Sequence, residues 1–159
     1  MKITILCVGK IKEGFYRQAI EEYAKRLSKY CKYEIIEVPD EKTPDKASDL
    51  MENQIKEKEA ERIIEKLKED SYVFTLEIKG KKFTSEAFAD AIEKLTVQGK
   101  SHISFVIGGS LGLHEKLLKL SNQSISFSDM TFPHQLMRVI LTEQIYRAFR
   151  IMNHEPYHK

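Results

Sequence analysis

Five short apolar runs alternate with five longer segments of helical periodicity along this chain. Strict alternation of that kind leaves few architectures open, because each apolar run must be covered by the helices that flank it. Ile3–Val8, Tyr33–Val38, Tyr72–Glu77, His102–Ile107 and Ser124–Phe127 read as strands. Between them, Glu13–Lys29 places Phe15, Ala19, Ile20, Tyr23, Ala24 and Leu27 at helical spacing. Ala47–Lys68 reads as a long charged helix whose apolar stripe (Met51, Ile55, Ile63, Leu67) thins in its middle. Ser85 is placed to cap a helix running to about Gln98, which Gly99 ends. A short helix from about His114 to Leu120 and a long apolar one after His134 complete the pattern. The expectation is an α/β fold: a mainly parallel sheet with helices on both faces. Residues 39–46 read as a polar connection and Gly80 as a turn after the third strand. With no internal repeat and no linker, residues 1–159 read as one domain.

Composition narrows the class further. At 42% hydrophobic and 31% charged residues, the chain is that of an ordinary globular protein. No run approaches the ~18 apolar residues of a membrane span, and Ile3–Val8 is too short for the core of a signal peptide. Cys7 and Cys31 have no metal-ligand spacing and no disulfide pattern, so reduced thiols in a cytoplasmic protein are expected. The net charge of +2 is unevenly spread: residues 1–32 carry +5, residues 33–70 carry −6, and residues 134–159 carry +2 with three histidines. Basic ends and an acidic middle suit a polyanion-binding face with an acidic back, or simply solvated helix exteriors.

The chemistry concentrates in the last third. The fourth strand empties into Gly108-Gly109-Ser110-Leu111-Gly112, and the fifth into Ser128-Asp129-Met130-Thr131-Phe132-Pro133-His134. Two loops leaving adjacent strands on one edge of a parallel sheet are where such folds bind ligands. Glycines there allow main-chain groups to approach a ligand closely. Three rival motifs fail on context. Gly99-Lys100-Ser101 lacks the first glycine of a phosphate loop and precedes a strand instead of following one. His154-Glu155-Pro156-Tyr157-His158 matches a zinc-protease pattern, but Pro156 interrupts the helix that would align the two histidines, so no metal is expected. The glycine loop followed by Asp129 imitates a dinucleotide fingerprint with the wrong spacing and only one strand after it. A nucleotide-dependent oxidoreductase therefore stays as an alternative, as does a non-catalytic, ribosome-associated RNA-binding module.

Taken together, Phe-Val-Ile-Gly-Gly-Ser-x-Gly, Ser-x-Ser-Phe-Ser-x-Met-Thr-Phe-Pro-His-Gln-x-x-Arg-Val, Glu-Gln-x-Tyr-Arg-Ala and the terminal Pro-Tyr-His carry a resemblance. With the opening Met-Lys-Ile-x-Ile-x-x-Val-Gly-Lys and the Thr-Leu-Glu-Ile-Lys-Gly run, it extends over essentially the whole chain. The sequence resembles the large-subunit ribosomal RNA pseudouridine methyltransferases of the SPOUT (α/β-knot) class. The resemblance implies methyl transfer from S-adenosylmethionine to N3 of a pseudouridine in 23S rRNA, on assembled ribosomes. It also implies a homodimer whose cofactor lies in the loops of a C-terminal trefoil knot. By matching position, cofactor contacts fall on Leu76, Gly108, Phe127, Ser128, Asp129, Met130, Thr131 and Phe132, and the substrate side on Arg147, Tyr157 and His158. His154 receives no role.

These residue types suit that chemistry. Arg147 would stabilise negative charge on the carbonyl oxygens of the ring. His158 is the candidate acceptor of the N3 proton, and Tyr157 would stack on the base or hydrogen-bond it. Arg147 also lies four residues after Glu143, the spacing of a plain helical ion pair. The final helix carries apolar residues on more than one stripe (Leu136, Val139 and Ile140 among them), which is more than one sheet needs to cover it. A second subunit would account for the excess.

Overall fold

Strand β1 (Lys2–Val8) is buried along nearly its whole length and β4 (His102–Ile107) along all of it. Burial of that kind requires cover on both faces, as in the centre of a parallel sheet. The computed structural model describes residues 1–159 and contains one sheet, in the order β2-β1-β4-β3-β5, with every neighbouring pair parallel. The remaining strands are β2 (Lys32–Val38), β3 (Tyr72–Lys82) and β5 (Gln123–Ser126). The helices are α1 (Gly14–Leu27), α2 (Asp49–Ile64), α3 (Ser85–Val97), α4 (Glu115–Leu120) and α5 (His134–Met152). The expected α/β architecture is thus present, and its strand order is consistent with a C-terminal knot.

Side-chain alternation divides the core into two layers. Ile3, Ile5 and Cys7 of β1 and Ile103, Phe105 and Ile107 of β4 point to one face. There they meet Leu27 of α1, Phe88, Ile92 and Leu95 of α3, and Leu141, Ile145 and Phe149 of α5. Leu6, Val8 and Val106 point to the other face, against Ala60 and Ile63 of α2 and Leu117 of α4. The larger layer lies under three helices and the smaller under two. Cys7 and Cys31 are free and buried, and burial pushes their thiols up to about 12 and about 11.

Four local expectations need correction. The second helix is shorter than Ala47–Lys68, because the Ser48 hydroxyl accepts the Met51 N–H (3.2 Å) and starts the helix at Asp49. Thr84, not Ser85, caps α3, accepting the Ala87 N–H at 3.1 Å. The strands β4 and β5 are not adjacent, since β3 runs between them. Gly80 does not turn the chain away. Strand β3 continues to Lys82, with a register break between Leu76 and Lys81 where it pairs with β5.

Contact across that break explains the glycine. A Cβ on Gly80 would stand 2.5 Å from the carbonyl carbon of Ile125 and 2.7 Å from its nitrogen, inside van der Waals contact with backbone. Gly80→Ala must therefore push β3 and β5 apart. Such overpacking is expected to lower the unfolding free energy by about 1–3 kcal/mol. Urea denaturation checks this, and an unchanged midpoint would mean that β5 yields without cost.

Candidate active site

The segments that leave β4 and β5, together with residues 76–79 at the register break of β3 between them, surround one cavity of about 830 Å³. Residues 76–79, 107–113, 125–128 and 130–134 line it, together with Met137. The walls are apolar at Leu76, Ile78, Phe127, Phe132 and Met137, with small residues at 108–110, 112, 126 and 128 and charged ones at Glu77 and Lys79. The volume falls within the roughly 300–1,000 Å³ common for small-molecule sites.

Each wall has a local cause. After β4 the chain folds back on itself: Gly109 and Gly112 form an isolated bridge, the Gly112 N–H donates to the Gly109 carbonyl at 3.1 Å, and Gly112 has φ +86°. A Cβ on Gly108 would lie 2.8 Å from the Gly112 carbonyl, so the turn closes only around glycine. Behind it sits Glu59 of α2, a buried carboxylate that accepts the Glu41 N–H at 3.1 Å. Burial raises its pKa above the usual carboxylate range. After β5, the Ser126 hydroxyl donates to the Ser128 carbonyl (3.1 Å), and the Ser128 hydroxyl accepts the Met130 N–H (3.0 Å). His134 closes the far side, its pKa lowered first by burial and then by the neighbouring Arg138.

Arg138 has no exposed surface. Its guanidinium donates to the carbonyls of Val8 (2.8 Å) and Gly9 (2.9 Å) and to the Glu37 carboxylate (2.9 Å). The same Glu37 oxygen accepts the Ile11 N–H at 3.0 Å. One side chain of α5 thereby ties the ends of β1 and β2 to the helix that follows the cavity loop.

A second cluster lies at the other end of α5. Arg147 donates to Glu143 at 2.5 Å, and its guanidinium stands 4.7 Å from the Tyr157 ring centroid. The Tyr157 hydroxyl donates to the same Glu143 oxygen at 3.0 Å. Burial and Glu143 both raise the phenol's pKa, so it stays protonated. His158 faces Arg147 with Nδ1 (3.3 Å) and Glu86 with Nε2 (2.7 Å). The tail that carries Tyr157 and His158 is itself tied down: Arg150 pairs with Glu155 and donates to the Pro156 carbonyl, and Tyr30 donates to Glu155 at 2.5 Å.

The family model described as "Predicted SPOUT methyltransferase" matches residues 1–158. The chain belongs to the SPOUT methyltransferase family. Among its relatives, the "Ribosomal RNA large subunit methyltransferase H" of Clostridium botulinum (strain 657 / Type Ba4) is 61% identical over 159 residues, all of both chains. The "Ribosomal RNA large subunit methyltransferase H 1" of Clostridium perfringens (strain SM101 / Type A) is 58% identical over the same full length. Among solved structures, a probable methylase family protein from Haemophilus influenzae Rd KW20 aligns with a TM-score of 0.53 at 14% identity, over 99% of this chain and 70% of that one. That likeness concerns the fold alone.

Within this SPOUT chain, Leu76, Gly108, Phe127, Ser128, Met130, Thr131 and Phe132 all line the large cavity. Asp129 does not; its carboxylate pairs with Lys82 at 2.5 Å on the exposed rim. Arg147, Tyr157 and His158 come together, but none of them lines the cavity. A smaller cavity of about 230 Å³ shares Ile125, Ser126 and Phe127 with it and reaches Ser85 and Gln144. Gln144 accepts from Ser85 (2.9 Å) and donates to Glu143 (2.8 Å), which joins this cavity to the arginine cluster. Helix α5 ends at Met152, so His154 and His158 share no helical face.

Sequence reasoning assigned nothing to Arg138, Glu37, Glu59 or Glu86. A lone arginine inside an otherwise apolar helical stretch was the available signal for Arg138; the others become visible only through their neighbours. Arg138→Met removes one member of a buried, multiply bonded ion pair and leaves Val8, Gly9 and Glu37 unpaired. Loss of about 3–5 kcal/mol is expected. Urea unfolding followed by circular dichroism measures it, and a loss below ~1 kcal/mol would mean that water replaces the guanidinium at those carbonyls.

Proposed function

We propose that this chain transfers a methyl group from S-adenosylmethionine to N3 of a pseudouridine in 23S rRNA, acting as a homodimer on the assembled ribosome in the cytoplasm. The substrate class rests on the printed names of the full-length relatives, which are ribosomal RNA large subunit methyltransferases. The cofactor reading rests on one observation: the loops after β4 and β5, with residues 76–79 of β3, enclose a cavity that combines apolar walls at Leu76, Phe127, Phe132 and Met137 with the glycine turn at 108–112. Such a lining suits an adenosyl group, with main-chain groups for the polar edges and apolar side chains for the flat faces. When bound, the cofactor supplies an electrophilic methyl on a sulfonium.

The chain's own residues would then position and stabilise the acceptor. Holding the acceptor nitrogen in line with that methyl accounts for most of the acceleration, since orientation alone is worth up to ~7–11 kcal/mol. N3 releases its proton to solvent water, and Arg147 bears the positive charge that stabilises the ring anion left behind. Tyr157, its ring against the Arg147 guanidinium, offers a face on which a base stacks. The smaller cavity, shared at Phe127 and reaching Gln144 beside Glu143, is the path by which a base held at Arg147 approaches the methyl donor.

Helix α5 supports the dimer. Leu141, Ile145, Ala148 and Phe149 are buried in the chain's own core, while Leu136, Val139 and Ile140 remain half-exposed. Apolar residues left on a second face of a helix suit burial against another copy. Light scattering at micromolar concentration is expected to give twice the 18.5 kDa chain mass; a monomer would remove this part of the reading.

Calorimetry tests the cofactor and mass mapping the product. S-adenosylmethionine or its demethylated product is expected to bind, NAD is not, and 23S rRNA on ribosomes that lack the modification gains one methyl at a pseudouridine. Arg147→Ala should retain cofactor binding while losing roughly 10²–10³ in single-turnover rate. Cofactor binding without methylated rRNA would overturn the substrate assignment alone; heat with NAD but not with S-adenosylmethionine would overturn the whole reading and favour an oxidoreductase.

A further inference from the structure

The ring of His158 is held from both sides, and the two contacts select the same tautomer. An arginine guanidinium carries donors only. With Arg147 Nη1 at 3.3 Å, His158 Nδ1 must therefore be the acceptor, bearing a lone pair and no hydrogen. A neutral imidazole with an acceptor Nδ1 keeps its hydrogen on Nε2. That nitrogen lies 2.7 Å from Glu86 Oε1, and an ionised carboxylate can only accept. Each neighbour favours the Nε2–H form, the short carboxylate contact more strongly than the longer guanidinium one; here they agree.

We propose that Glu86 is a positioning residue of the reaction: it fixes the hydrogen of His158 on Nε2, so that Nδ1 is left to receive and aim the guanidinium of Arg147. The inference rests on the methyltransferase reading above, and gives that site a residue from α3. In this arrangement neither ring nitrogen has a lone pair open to a uracil-type N3–H. His158 thus acts through Arg147 and is not the proton acceptor that its residue type first suggests.

The local structure supplies what the role needs. Glu86 sits in the first turn of α3, where Thr84 caps the helix and the N-terminal N–H groups favour a negative charge. Its pKa is lowered by its own backbone N–H, then by His158 and Thr84, which keeps it ionised. On the other side, Arg147 is held by Glu143 through Nη2, so His158 and Glu143 take one nitrogen each of the guanidinium fork. Two fixed points orient a planar group where one would leave it free to swing. The Nε of Arg147 is buried without a partner, so the fork contacts, and not a bond at Nε, set its direction.

Long-range 1H–15N correlation on the 15N-histidine-labelled full-length chain reads the tautomer directly. In the wild type, His158 is expected to show a protonated Nε2 and an unprotonated Nδ1. Glu86→Ala should mix the two tautomers, and Glu86→Gln, whose amide oxygen still accepts, should restore the wild-type form. The Glu86 side chain is 59% exposed, so neither substitution threatens folding. With saturating ribosomes, Glu86→Ala is expected to lower the single-turnover rate by about tenfold or more, with unchanged affinity for S-adenosylmethionine and recovery in Glu86→Gln. A hydrogen on Nδ1 in the wild type, or an Ala variant with wild-type tautomer and rate, would overturn the proposal. A wild type with the Nε2–H form that methylates nothing would overturn the functional reading while supporting the Glu86–His158–Arg147 relay.

Discussion

The guanidinium of Arg138 is where the cavity side of the sheet is held together. Where a parallel strand ends, its last carbonyls lose their ladder partners, and burying them unpaired is costly. Arg138 reaches from α5 to the carbonyls of Val8 and Gly9 and to Glu37 beside them, and so satisfies the ends of two strands at once. Removing a guanidinium from water is costly, and here the two terminal nitrogens make three contacts while Nε is buried without a partner. The geometry is therefore strict: α5 has to enter at one place and one angle. The loop from Phe127 to Pro133 is tethered at both ends as a consequence, by β5 and by this arginine, and the cavity has a defined wall.

The cavity owes its shape to strand order as much as to loop sequence. Because β3 runs between β4 and β5, its residues 76–79 reach the cavity and complete a wall that the two loops alone would leave open. The register break in β3 and the missing side chain at Gly80 let that strand continue against β5 beyond the pocket. After β4, a side chain at Gly108 would strike the Gly112 carbonyl, and Gly112 holds a positive φ that side chains disfavour. Backbone approaching too closely for a side chain, at Gly80 and at Gly108, is the common physical cause.

Helix α5 then connects the parts. Its first turn borders the cavity through His134 and Met137, its middle fills the larger core layer, and its last turns hold Arg147 and receive the tail. The tail is kept in place by ion pairs and by the Tyr146–Tyr157 ring contact at 4.9 Å, which is why two residues so near the chain end occupy definite positions. A polar chain from Ser85 through Gln144 to Glu143 links this end of the helix to the smaller cavity.

Much of the fold was legible in the sequence, because strand and helix periods are local properties that side-chain burial enforces residue by residue. Alternating apolar runs led to five strands and five helices, and the glycine and Met-Thr-Phe-Pro-His loops marked the region of the cavity. Errors arose where a local signal met a distant neighbour. Gly80 resembles a turn residue until Ile125 is seen against it, and the fourth and fifth strands look adjacent until β3 is threaded between them.

By itself the sequence determined the α/β class, the helical and extended segments, and membership of a methyltransferase family through motifs along its whole length. Only the tertiary structure decided which strand ends meet, that Arg138 is a buried clamp, and that Glu86 stands against His158. The reason is physical: periodicity records what each residue needs from its surroundings, whereas a hydrogen bond between residues 72 positions apart records which partner the folded chain brings to it.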